Sequence, residues 1–330
     1  MSGTLAIIGG GSWGTALSLV LSPRFEKVRL WVHDPATAAQ MAGRRENVSY
    51  LPGFALPENV EIVNSLAGAL DRAGMVLGAM PSAHARGLYR SLAPLISGDV
   101  LVVSATKGLE RGSLQRVSSV IREELGPVEL AVLAGPGFAR EVAAGEPAAL
   151  VIASEQAETA ARVQAAFAGP TFRLYSNTDP IGVEIGGALK NVIAIAAGVC
   201  HGLGLGNNTL AALITRGLAE ISRLAVALGA QPLTMSGLAG LGDLVLTCNG
   251  SLSRNRRLGV ELAQGRSLDT ILGDSRMVVE GVETTDAAVE LAGREGVDVP
   301  IIAQMHAVLR KGRSPRDGLR ELMDRALKAE

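Results

Sequence analysis

The sequence has few of the residues on which several specialised protein classes depend. Its 330 residues include only 2 cysteines, Cys200 and Cys248, which are too few for a disulfide framework and fit a reducing compartment. We interpret both as small buried hydrophobic residues. Aromatic residues make up only 3% of the chain, so binding through aromatic stacking platforms is not expected.

An excess of either charge is also absent. The 31 lysines and arginines nearly balance 32 aspartates and glutamates, which leaves a formal net charge of -1. Because a chain without an overall positive field is a poor partner for a polyanion, we expect no nucleic-acid binding. The four histidines show no spacing that would hold a metal ion; they are His33, His84, His201 and His306.

Long hydrophobic runs and targeting signals are missing as well. The most apolar segment, residues 192–200, is bounded by polar residues and is well short of the roughly 20 residues that a membrane helix needs. We therefore predict a core helix and no membrane span. The N-terminus passes directly into an apolar strand, without a basic region or a small-residue cleavage site. A secretory signal is not supported, and we expect a cytoplasmic protein.

The first half of the chain alternates short apolar runs with helix-compatible stretches, which is typical of an α/β fold with a parallel sheet. Each run is nearly continuous in hydrophobicity, as expected of strands covered by helices on both faces. Strands are predicted at residues 5–8, 28–32, 75–79, 100–104, 130–133, 149–153 and 171–175. The last two flank a predicted helix at residues 157–168 and would extend the sheet. These elements predict a doubly wound sheet over residues 1–178.

The chain after residue 178 is predicted to be mainly α-helical. Helical segments are indicated at residues 183–199, 210–227, 260–263, 287–293 and 303–309, without a convincing strand. We therefore predict an α-helical second domain over residues 179–330, which the chain length allows at about 100 to 200 residues per domain.

A glycine-rich loop follows the first predicted strand and opens a helix. Gly9, Gly11 and Gly14 form the pattern G-x-G-x-x-G, which in this position is the fingerprint of a Rossmann-type dinucleotide site. The first glycine would allow a tight turn, the second the close approach of a pyrophosphate, and the third the packing of helix on strand. The alternative is an ordinary glycine-rich turn.

The end of the second strand bears on cofactor choice. An acidic residue there would select NAD by binding the ribose 2′-hydroxyl, but Asp34 lies slightly late and is equally compatible with a turn before Pro35. His33, at or near the selecting position, would tolerate a 2′-phosphate. We expect NADP to be accepted, and the preference between NAD and NADP stays open.

Two later loops also follow strand ends, where ligands of open α/β sheets bind. Lys107 would pair with a substrate or cofactor oxygen, although lysines in surface loops are common. The segment Gly135-Pro136-Gly137-Phe138-Ala139 would let backbone amides contact a ligand, although it is also compatible with a simple turn.

Lys190 is the candidate for proton transfer, since it lies on a helix otherwise built from small and aliphatic residues. Burial would disfavour its ammonium form, which suits a proton donor for carbonyl reduction and an acceptor for alcohol oxidation. Gly186 and Gly187, one turn earlier, would leave room for a ligand. The alternative is a lysine that extends to solvent at a helix edge.

Asp243 and the segment Ser253-Arg254-Asn255-Arg256-Arg257 form a candidate anion site. Ser253 would cap a helix while Arg254 and Asn255 present donors, so a phosphomonoester would gain hydrogen bonds and the helix dipole. Asp243 would hold a substrate hydroxyl or orient Lys190. The alternative is a set of arginines on a solvated face.

Together these motifs resemble the bacterial NAD(P)-dependent glycerol-3-phosphate dehydrogenases from Gly9 to Arg325. The resemblance implies NADP or NAD as cofactor and reversible reduction of dihydroxyacetone phosphate to sn-glycerol 3-phosphate, which supplies phospholipid synthesis. With the apolar second domain, it also suggests a homodimer. The segments that carry it, in the family's order, are Gly-x-Gly-Ser-Trp-Gly-Thr-Ala, Ala-Thr-Lys-Gly-Leu-Glu, Gly-Gly-Ala-Leu-Lys-Asn-Val, Leu-Ile-Thr-Arg-Gly, Ala-Gly-Leu-Gly-Asp-Leu, Ser-Arg-Asn-Arg and Val-Val-Glu-Gly.

The resemblance also implies roles for individual residues, with Lys190 as the proton donor and acceptor. Beyond the glycine loop, the residues implied to line the dinucleotide are Ser12, Trp13, His33, Lys107, Ala139, Arg254, Val278 and Glu280. The positions implied for the substrate are Lys107, Gly135, Gly137, Lys190, Asp243, Ser253, Arg254 and Asn255.

Gly137 departs from the family pattern, because it stands where the Gly-Pro-Thr/Ser-Phe-Ala segment has a hydroxyl residue. A hydroxyl contact with the substrate is therefore expected to be missing, at a cost of about 0.5 to 1.5 kcal/mol in binding.

Two other functions are compatible with parts of the pattern. A two-domain 3-hydroxyacid dehydrogenase would share the nucleotide domain and the catalytic lysine, but its carboxylate substrate has no phosphate for the basic segment at 253–257. A dinucleotide-sensing regulator would bind NAD(P)H without chemistry and would leave the buried lysine unexplained.

Overall fold

The structure is a computed structural model that describes residues 3–96, 100–274 and 279–327. The chain divides into two compact units. Unit 1 comprises Met1–Glu110 and Gln115–Glu184, and unit 2 comprises Arg111–Leu114 and Ile185–Glu330.

Unit 1 contains two sheets. Its strands are β1 (Thr4–Ile8), β2 (Lys27–Trp31), β3 (Glu46–Asn47), β4 (Leu51–Ala55), β5 (Val60–Val63), β6 (Ala73–Gly78), β7 (Leu101–Ser104), β8 (Glu129–Ala134), β9 (Ala148–Ala153) and β10 (Phe172–Asn177). The main sheet has eight strands in the order β10-β9-β8-β7-β6-β1-β2-β5, and β3 pairs with β4 in a separate antiparallel hairpin.

Helices cover both faces of the main sheet. The helices are α1 (Ser12–Leu21), α2 (Pro35–Arg44), α3 (Leu66–Leu70), α4 (Ser82–Leu92), α5 (Val117–Leu125), α6 (Ala139–Ala143) and α7 (Ala157–Phe167). Successive residues of β1 enter different core clusters, since Leu5 and Ile7 lie in one and Ala6 and Ile8 in the other. Burial on both faces explains why this strand is continuously apolar.

The predicted α/β class and all seven predicted strands are confirmed, with ends shifted by a residue or two. The sheet does extend through β9 and β10, but β9 runs antiparallel to β8. The reason is that α6, which connects them, packs against α1 and does not cross the sheet. The edge strand β5 and the β3–β4 hairpin were not predicted.

The regular secondary structure among the described residues of unit 2 is helical, as predicted. Helix α8 (Pro180–Gly202) begins in unit 1 and continues into unit 2. The helices that follow are α9 (Asn207–Ala227), α10 (Pro232–Met235), α11 (Asp243–Asn249), α12 (Arg254–Ala263), α13 (Leu268–Gly273), α14 (Glu280–Glu295), α15 (Pro300–Arg310) and α16 (Pro315–Met323).

Helix α8 carries Lys190, the residue predicted to transfer the proton. Its 23 residues make it longer than predicted and, by length and composition, long enough to cross a membrane, but its most apolar 18-residue stretch is 100% buried. A Cβ at Gly198 would overlap with the carbonyl oxygen of Arg256. The small residues of α8 therefore let its backbone approach α12 closely, which brings Lys190's helix next to the basic segment.

Glu220 on α9 is a buried carboxylate with a structural task. It is 1% exposed and accepts hydrogen bonds from the backbone N–H groups of Ile301 (2.8 Å) and Ile302 (3.2 Å), in the first turn of α15. Burial raises the pKa of Glu220 from 4.5 to about 7, against the opposing effect of the two backbone hydrogen bonds. The folded protein therefore holds this proton more tightly than the unfolded chain does.

We expect this carboxyl group to make stability depend on pH. Its raised pKa stabilises the fold fully below about pH 4.5, and the contribution is lost as the pH rises through about 7. The contribution is at most about 3 kcal/mol, at roughly 1.36 kcal/mol per pH unit between the two values. In Glu220→Gln this dependence should disappear. The melting temperature of the wild type should therefore fall relative to that of the variant as the pH rises from 4.5 to 8. Glu290→Gln, at an exposed ion pair on α14, is the control; equal pH slopes for wild type and Glu220→Gln would contradict the prediction.

Candidate functional site

The glycine-rich loop connects β1 to α1, and its three glycines face different surroundings. Gly9 has a φ of 128°, and a Cβ there would lie 2.6 Å from the carbonyl oxygen of Ala79. A Cβ at Gly14 would overlap with the carbonyl oxygen of Gly9. A Cβ at Gly11 would meet no described atom within 4 Å. The fold itself thus requires Gly9 and Gly14, whereas Gly11 keeps an open space in front of the helix.

The position of this loop suits an anion. It lies where the strand order reverses, since the chain leaves β1 toward β2 on one side and β6 lies on the other, and ligands of such sheets bind at this point. Helix α1 begins at Ser12, and the first N–H groups of a helix have no acceptor within it. Together with the helix dipole, these donors form a cradle that fits a pyrophosphate.

Asp34 turns out to be a helix cap. It precedes α2, and its carboxylate accepts hydrogen bonds from the backbone N–H (2.7 Å) and hydroxyl (2.6 Å) of Thr37. These bonds lower the pKa of Asp34 below its ordinary value. Asp34 thus has a structural role, which is the cap of a helix that begins at Pro35. His33 is exposed, with its ring 5.6 Å from that of Trp31.

The two loops after β7 and β8 meet. The Nζ atom of Lys107 donates to the carbonyl oxygen of Gly135 over 3.3 Å, so two of the residues predicted to bind substrate are in contact. Gly135 has a φ of 131°, and a Cβ there would lie 3.1 Å from the Cα of Leu150. Backbone conformation and packing therefore both require a glycine at this position.

The second glycine of the 135–139 loop lies against Trp13. A Cβ at Gly137 would be 3.3 Å from Cη2 of the indole ring, and Ala139 begins α6, which packs on α1. The Nε1 atom of Trp13 is buried and has no hydrogen-bond partner in the described part of the chain. Gly137 therefore lies beside Trp13 in the first turn of α1, and Ala139 belongs to a helix that packs on α1.

In unit 2 the structure resolves the position of Lys190. The side chain is nearly fully buried, which excludes the solvent-facing alternative, and Nζ donates to Oδ1 of Asp243 (2.5 Å) and Oγ1 of Thr247 (2.7 Å). Asp243 therefore contacts the lysine, in agreement with one of its two predicted roles. This carboxylate stabilises the ammonium form, in opposition to the effect of burial.

Thr247 is a site residue that the sequence analysis missed. It lies one turn after Asp243 on α11, and its hydroxyl donates to the backbone carbonyl of Asp243 over 2.7 Å. It therefore presents its lone pairs to Lys190. The available signal was the i,i+4 spacing of two polar residues on one helix face.

Cys248 is next to Thr247 in the chain, and burial raises its pKa to about 12. The thiol is therefore protonated near neutral pH and is no nucleophile. Both cysteines are buried and free, as predicted.

The basic segment forms the start of α12. The Ser253 hydroxyl caps the helix by accepting from the backbone N–H of Arg256 over 3.2 Å, as predicted. Arg254 is exposed. Arg257 forms an exposed ion pair with Glu261 at 2.9 Å, so part of the arginine cluster does belong to a solvated face.

Asn255 is buried, whereas Arg254, the other predicted donor of the anion site, is exposed. Its Nδ2 donates to Oδ1 of Asn191 and its Oδ1 accepts from the backbone N–H of Gly281, each over 3.0 Å. It thereby connects α12 to α8 and to the start of α14, next to Glu280. Val278 lies outside the described residues, and no group of three or more metal-ligating side chains is found among the residues that are described.

The comparisons with known proteins cover nearly the whole chain. Residues 4–160 match the family described as NAD-dependent glycerol-3-phosphate dehydrogenase N-terminus, and residues 179–320 match its C-terminus. The chain is 52% identical over 326 residues to the glycerol-3-phosphate dehydrogenase (NAD(P)+) of Koribacter versatilis, with 97% of each chain covered. It is 50% identical over 333 residues to that of Citrifermentans bemidjiense, covering 100% of this chain and 99% of the relative. A crystal structure of glycerol-3-phosphate dehydrogenase from Coxiella burnetii is similar with a TM-score of 0.95 and 39% identity, covering 98% of this chain and 99% of that one.

Proposed function

The chain belongs to the NAD-dependent glycerol-3-phosphate dehydrogenase family, and from this premise we propose how its residues perform the reaction. The protein is an oxidoreductase that reduces dihydroxyacetone phosphate to sn-glycerol 3-phosphate with NAD(P)H, and the product enters glycerophospholipid synthesis. The observation that carries the assignment of residues is the buried contact of Lys190 with Asp243 and Thr247.

We assign most of the dinucleotide site to residues 1–178, and proton transfer and phosphate binding to residues 179–330. The open space at Gly11 and the free N–H groups of α1 support a pyrophosphate there. A dinucleotide bound there would supply the hydride for reduction at C2 of dihydroxyacetone phosphate. Asp34 is engaged as a helix cap through Thr37, and the exposed His33 before it would tolerate a 2′-phosphate, which supports use of NADPH as well as NADH.

Lys190 supplies the proton in this assignment. Its ammonium group protonates the C2 oxygen as the carbonyl is reduced, and the neutral amine takes the proton back in the oxidation. The Asp243 carboxylate keeps the lysine charged before transfer, and Thr247 fixes the direction of Nζ. A positioned general acid of this kind contributes about 10²- to 10⁴-fold to the rate.

The phosphate of the substrate is assigned to the start of α12. Arg254 offers a guanidinium group at the N-terminus of a helix capped by Ser253, where both the dipole and charge-assisted hydrogen bonds favour an anion. Asn255 holds this segment in place through its hydrogen bonds with Asn191 and Gly281. A 3-hydroxyacid substrate, which has no phosphate, would leave the basic segment without a ligand.

The test is the loss of NADPH and, separately, NADH absorbance when the protein receives dihydroxyacetone phosphate, with unphosphorylated dihydroxyacetone as the control. Rapid turnover with the phosphate ester alone is expected, and the ratio of the two rates gives the cofactor preference. Binding of dinucleotide without turnover would refute the assignment and favour a sensor. Turnover of a 3-hydroxyacid instead would favour that dehydrogenase class.

Gly137 provides a test of the missing substrate hydroxyl. We expect Gly137→Ser to lower the KM for dihydroxyacetone phosphate about 2- to 10-fold relative to Gly137→Ala, from roughly 0.5 to 1.5 kcal/mol for one hydrogen bond. The alanine variant is the matched control, because it places the same Cβ against Trp13, 3.3 Å from the ring, without a hydroxyl. Equal KM values for the two variants would show that a hydroxyl here does not reach the substrate.

We also propose that the protein is a cytoplasmic homodimer. Support comes from exposed apolar side chains on segments of unit 2 that pack against one another. A second copy of the chain that covered these side chains would remove them from water. They are Val226, Leu233, Leu241 and Val245. Light scattering should give twice the 34.1 kDa chain mass, and Leu233→Lys should shift the population toward single chains; a monomeric wild type would refute the proposal.

A further inference from the structure

The β3–β4 hairpin lies against the glycine-rich loop and contributes one fully buried side chain to it. Asn47 is 0% exposed, and its Nδ2 donates to the carbonyl oxygen of Gly10 (2.9 Å) and to Oγ1 of Thr15 (2.7 Å). Its Oδ1 accepts from the backbone N–H of Tyr50 over 3.1 Å. Both amide hydrogens and the amide oxygen are therefore used.

The two partners of Nδ2 lie on either side of the open position Gly11. Gly10 precedes it in the loop, and Thr15 lies in the first turn of α1, where its backbone N–H donates to the carbonyl oxygen of Gly11 over 3.0 Å. One side chain thus joins the loop to the helix whose N–H groups face the pyrophosphate. Loss of this side chain would free the loop without removing any group that faces the ligand.

The hairpin is itself firmly attached. Leu51 and Leu56 are buried in the core of unit 1, and the guanidinium of Arg45 donates to the carbonyl oxygen of Leu56 over 3.2 Å. At its other side, the ring of Phe54 lies 5.6 Å from the guanidinium carbon of Arg140 on α6, the helix that follows the 135–139 loop. The hairpin therefore contacts both α1, which follows the glycine-rich loop, and α6, which follows the 135–139 loop.

We propose that the β3–β4 hairpin holds the glycine-rich loop in its binding conformation and that Asn47 is a positioning residue that sets the affinity for NAD(P)H. Asn47 acts through Gly10 and Thr15 and does not touch the ligand. The proposal rests on the function proposed above, because it assumes that this loop binds the dinucleotide. A loop held in its bound conformation binds more tightly, since less ordering is required on association.

The test compares Asn47→Ala with Asn59→Ala. Asn59 is a matched control in unit 1, because its Nδ2 also donates twice, to the carbonyl oxygens of Ser22 (2.9 Å) and Phe25 (3.1 Å), but at a distance from the loop in sequence and contacts. Asn47→Ala should raise the Kd for NADPH roughly 5- to 30-fold, with kcat at saturating NADPH and the KM for dihydroxyacetone phosphate within about two-fold of wild type. Asn59→Ala should lower the melting temperature by a similar amount and leave the Kd unchanged.

Thr15→Val provides a second variant that removes one partner while keeping its shape, and it decides the question if Asn47→Ala fails to fold. It should weaken NADPH binding by a smaller factor, and the double variant should bind no worse than Asn47→Ala alone, because both changes break the same contact. A Kd for NADPH that changes no more in Asn47→Ala or Thr15→Val than in Asn59→Ala would overturn the proposed role of the hairpin. Failure of the wild type to bind NADPH would instead overturn the proposed function.

Discussion

Replacement of Lys190 by methionine is expected to lower kcat about 10²- to 10⁴-fold, while the Kd for NADPH stays within about two-fold of wild type. The reason is that the amine is the group assigned to move the proton, whereas the glycine loop lies in unit 1. The steady-state loss of NADPH absorbance at saturating substrate measures kcat, and fluorescence titration measures the Kd.

Lys190→Met alone also changes stability, which a second variant separates from catalysis. Removing the lysine leaves the fully buried Asp243 without its 2.5 Å partner, and breaking a buried pair in this way costs about 3 to 5 kcal/mol. The variant Lys190→Met/Asp243→Asn removes both charges of the pair. The double variant should therefore regain most of the melting temperature and none of the turnover.

Lys190→Arg tests whether charge or proton transfer matters. Arginine retains the positive charge beside Asp243 but does not release a proton in proteins. If Lys190 acted only through its charge, the arginine variant would be nearly active. We expect it to be inactive in both directions of the reaction, and near-normal turnover of either Lys190→Arg or Lys190→Met would remove Lys190 as the proton donor.

The parts of the site that could be predicted from the sequence are those specified by neighbouring residues. The glycine loop requires only a strand, a spacing and a helix start, all within residues 4–21. The sequence does not decide the role of Asp34, because an acid that binds a ribose and an acid in a turn before a proline stand at the same place. The structure adds a third role, the helix-cap contact with Thr37, three residues away.

Contacts between distant residues could not be predicted in this way. Lys190 and Asp243 are 53 positions apart. Their contact was one of two roles expected for Asp243, and nothing in either segment alone selects it over contact with a substrate hydroxyl. Asn255 has the residue type of an anion donor, but tertiary packing directs its amide to Asn191 and Gly281. The side chain of a polar residue at a helix start can face a ligand or a neighbouring helix, and only packing selects between them.

The hairpin shows the same limit for secondary structure. Strand prediction relies on alternation over several residues, but β3 has only two residues and β4 contains Pro52 and Gly53. Its stability comes from Leu51, which is buried in the core of unit 1, and from Asn47. The sheet extension through β9 was predictable from hydrophobicity, but its antiparallel direction depends on where α6 packs.

Gly11→Ala is expected to give the largest change in cofactor binding. The backbone at Gly11 has φ -76° and ψ -173°, which any residue adopts, and a Cβ there meets no described atom within 4 Å. The variant should therefore fold with a loss of about 1 kcal/mol or less from its helix-cap position. The methyl group would fill the space assigned to the pyrophosphate and raise the Kd for NADPH about 10- to 100-fold, from roughly 1 to 3 kcal/mol for an overpacked contact.

Two other glycine substitutions show whether this effect comes from the ligand or from the fold. Gly43→Ala, on the exposed surface of α2 with no atom within 4 Å of a Cβ among those described, should leave the Kd unchanged and should not lower the melting temperature, because alanine favours the helix. Gly14→Ala should lower the melting temperature strongly, because its Cβ would overlap with the Gly9 carbonyl oxygen. A folded Gly11→Ala protein with the wild-type Kd would mean that the open space beside α1 is not where the pyrophosphate binds, and the assignment of the loop would have to be abandoned even though the family is established.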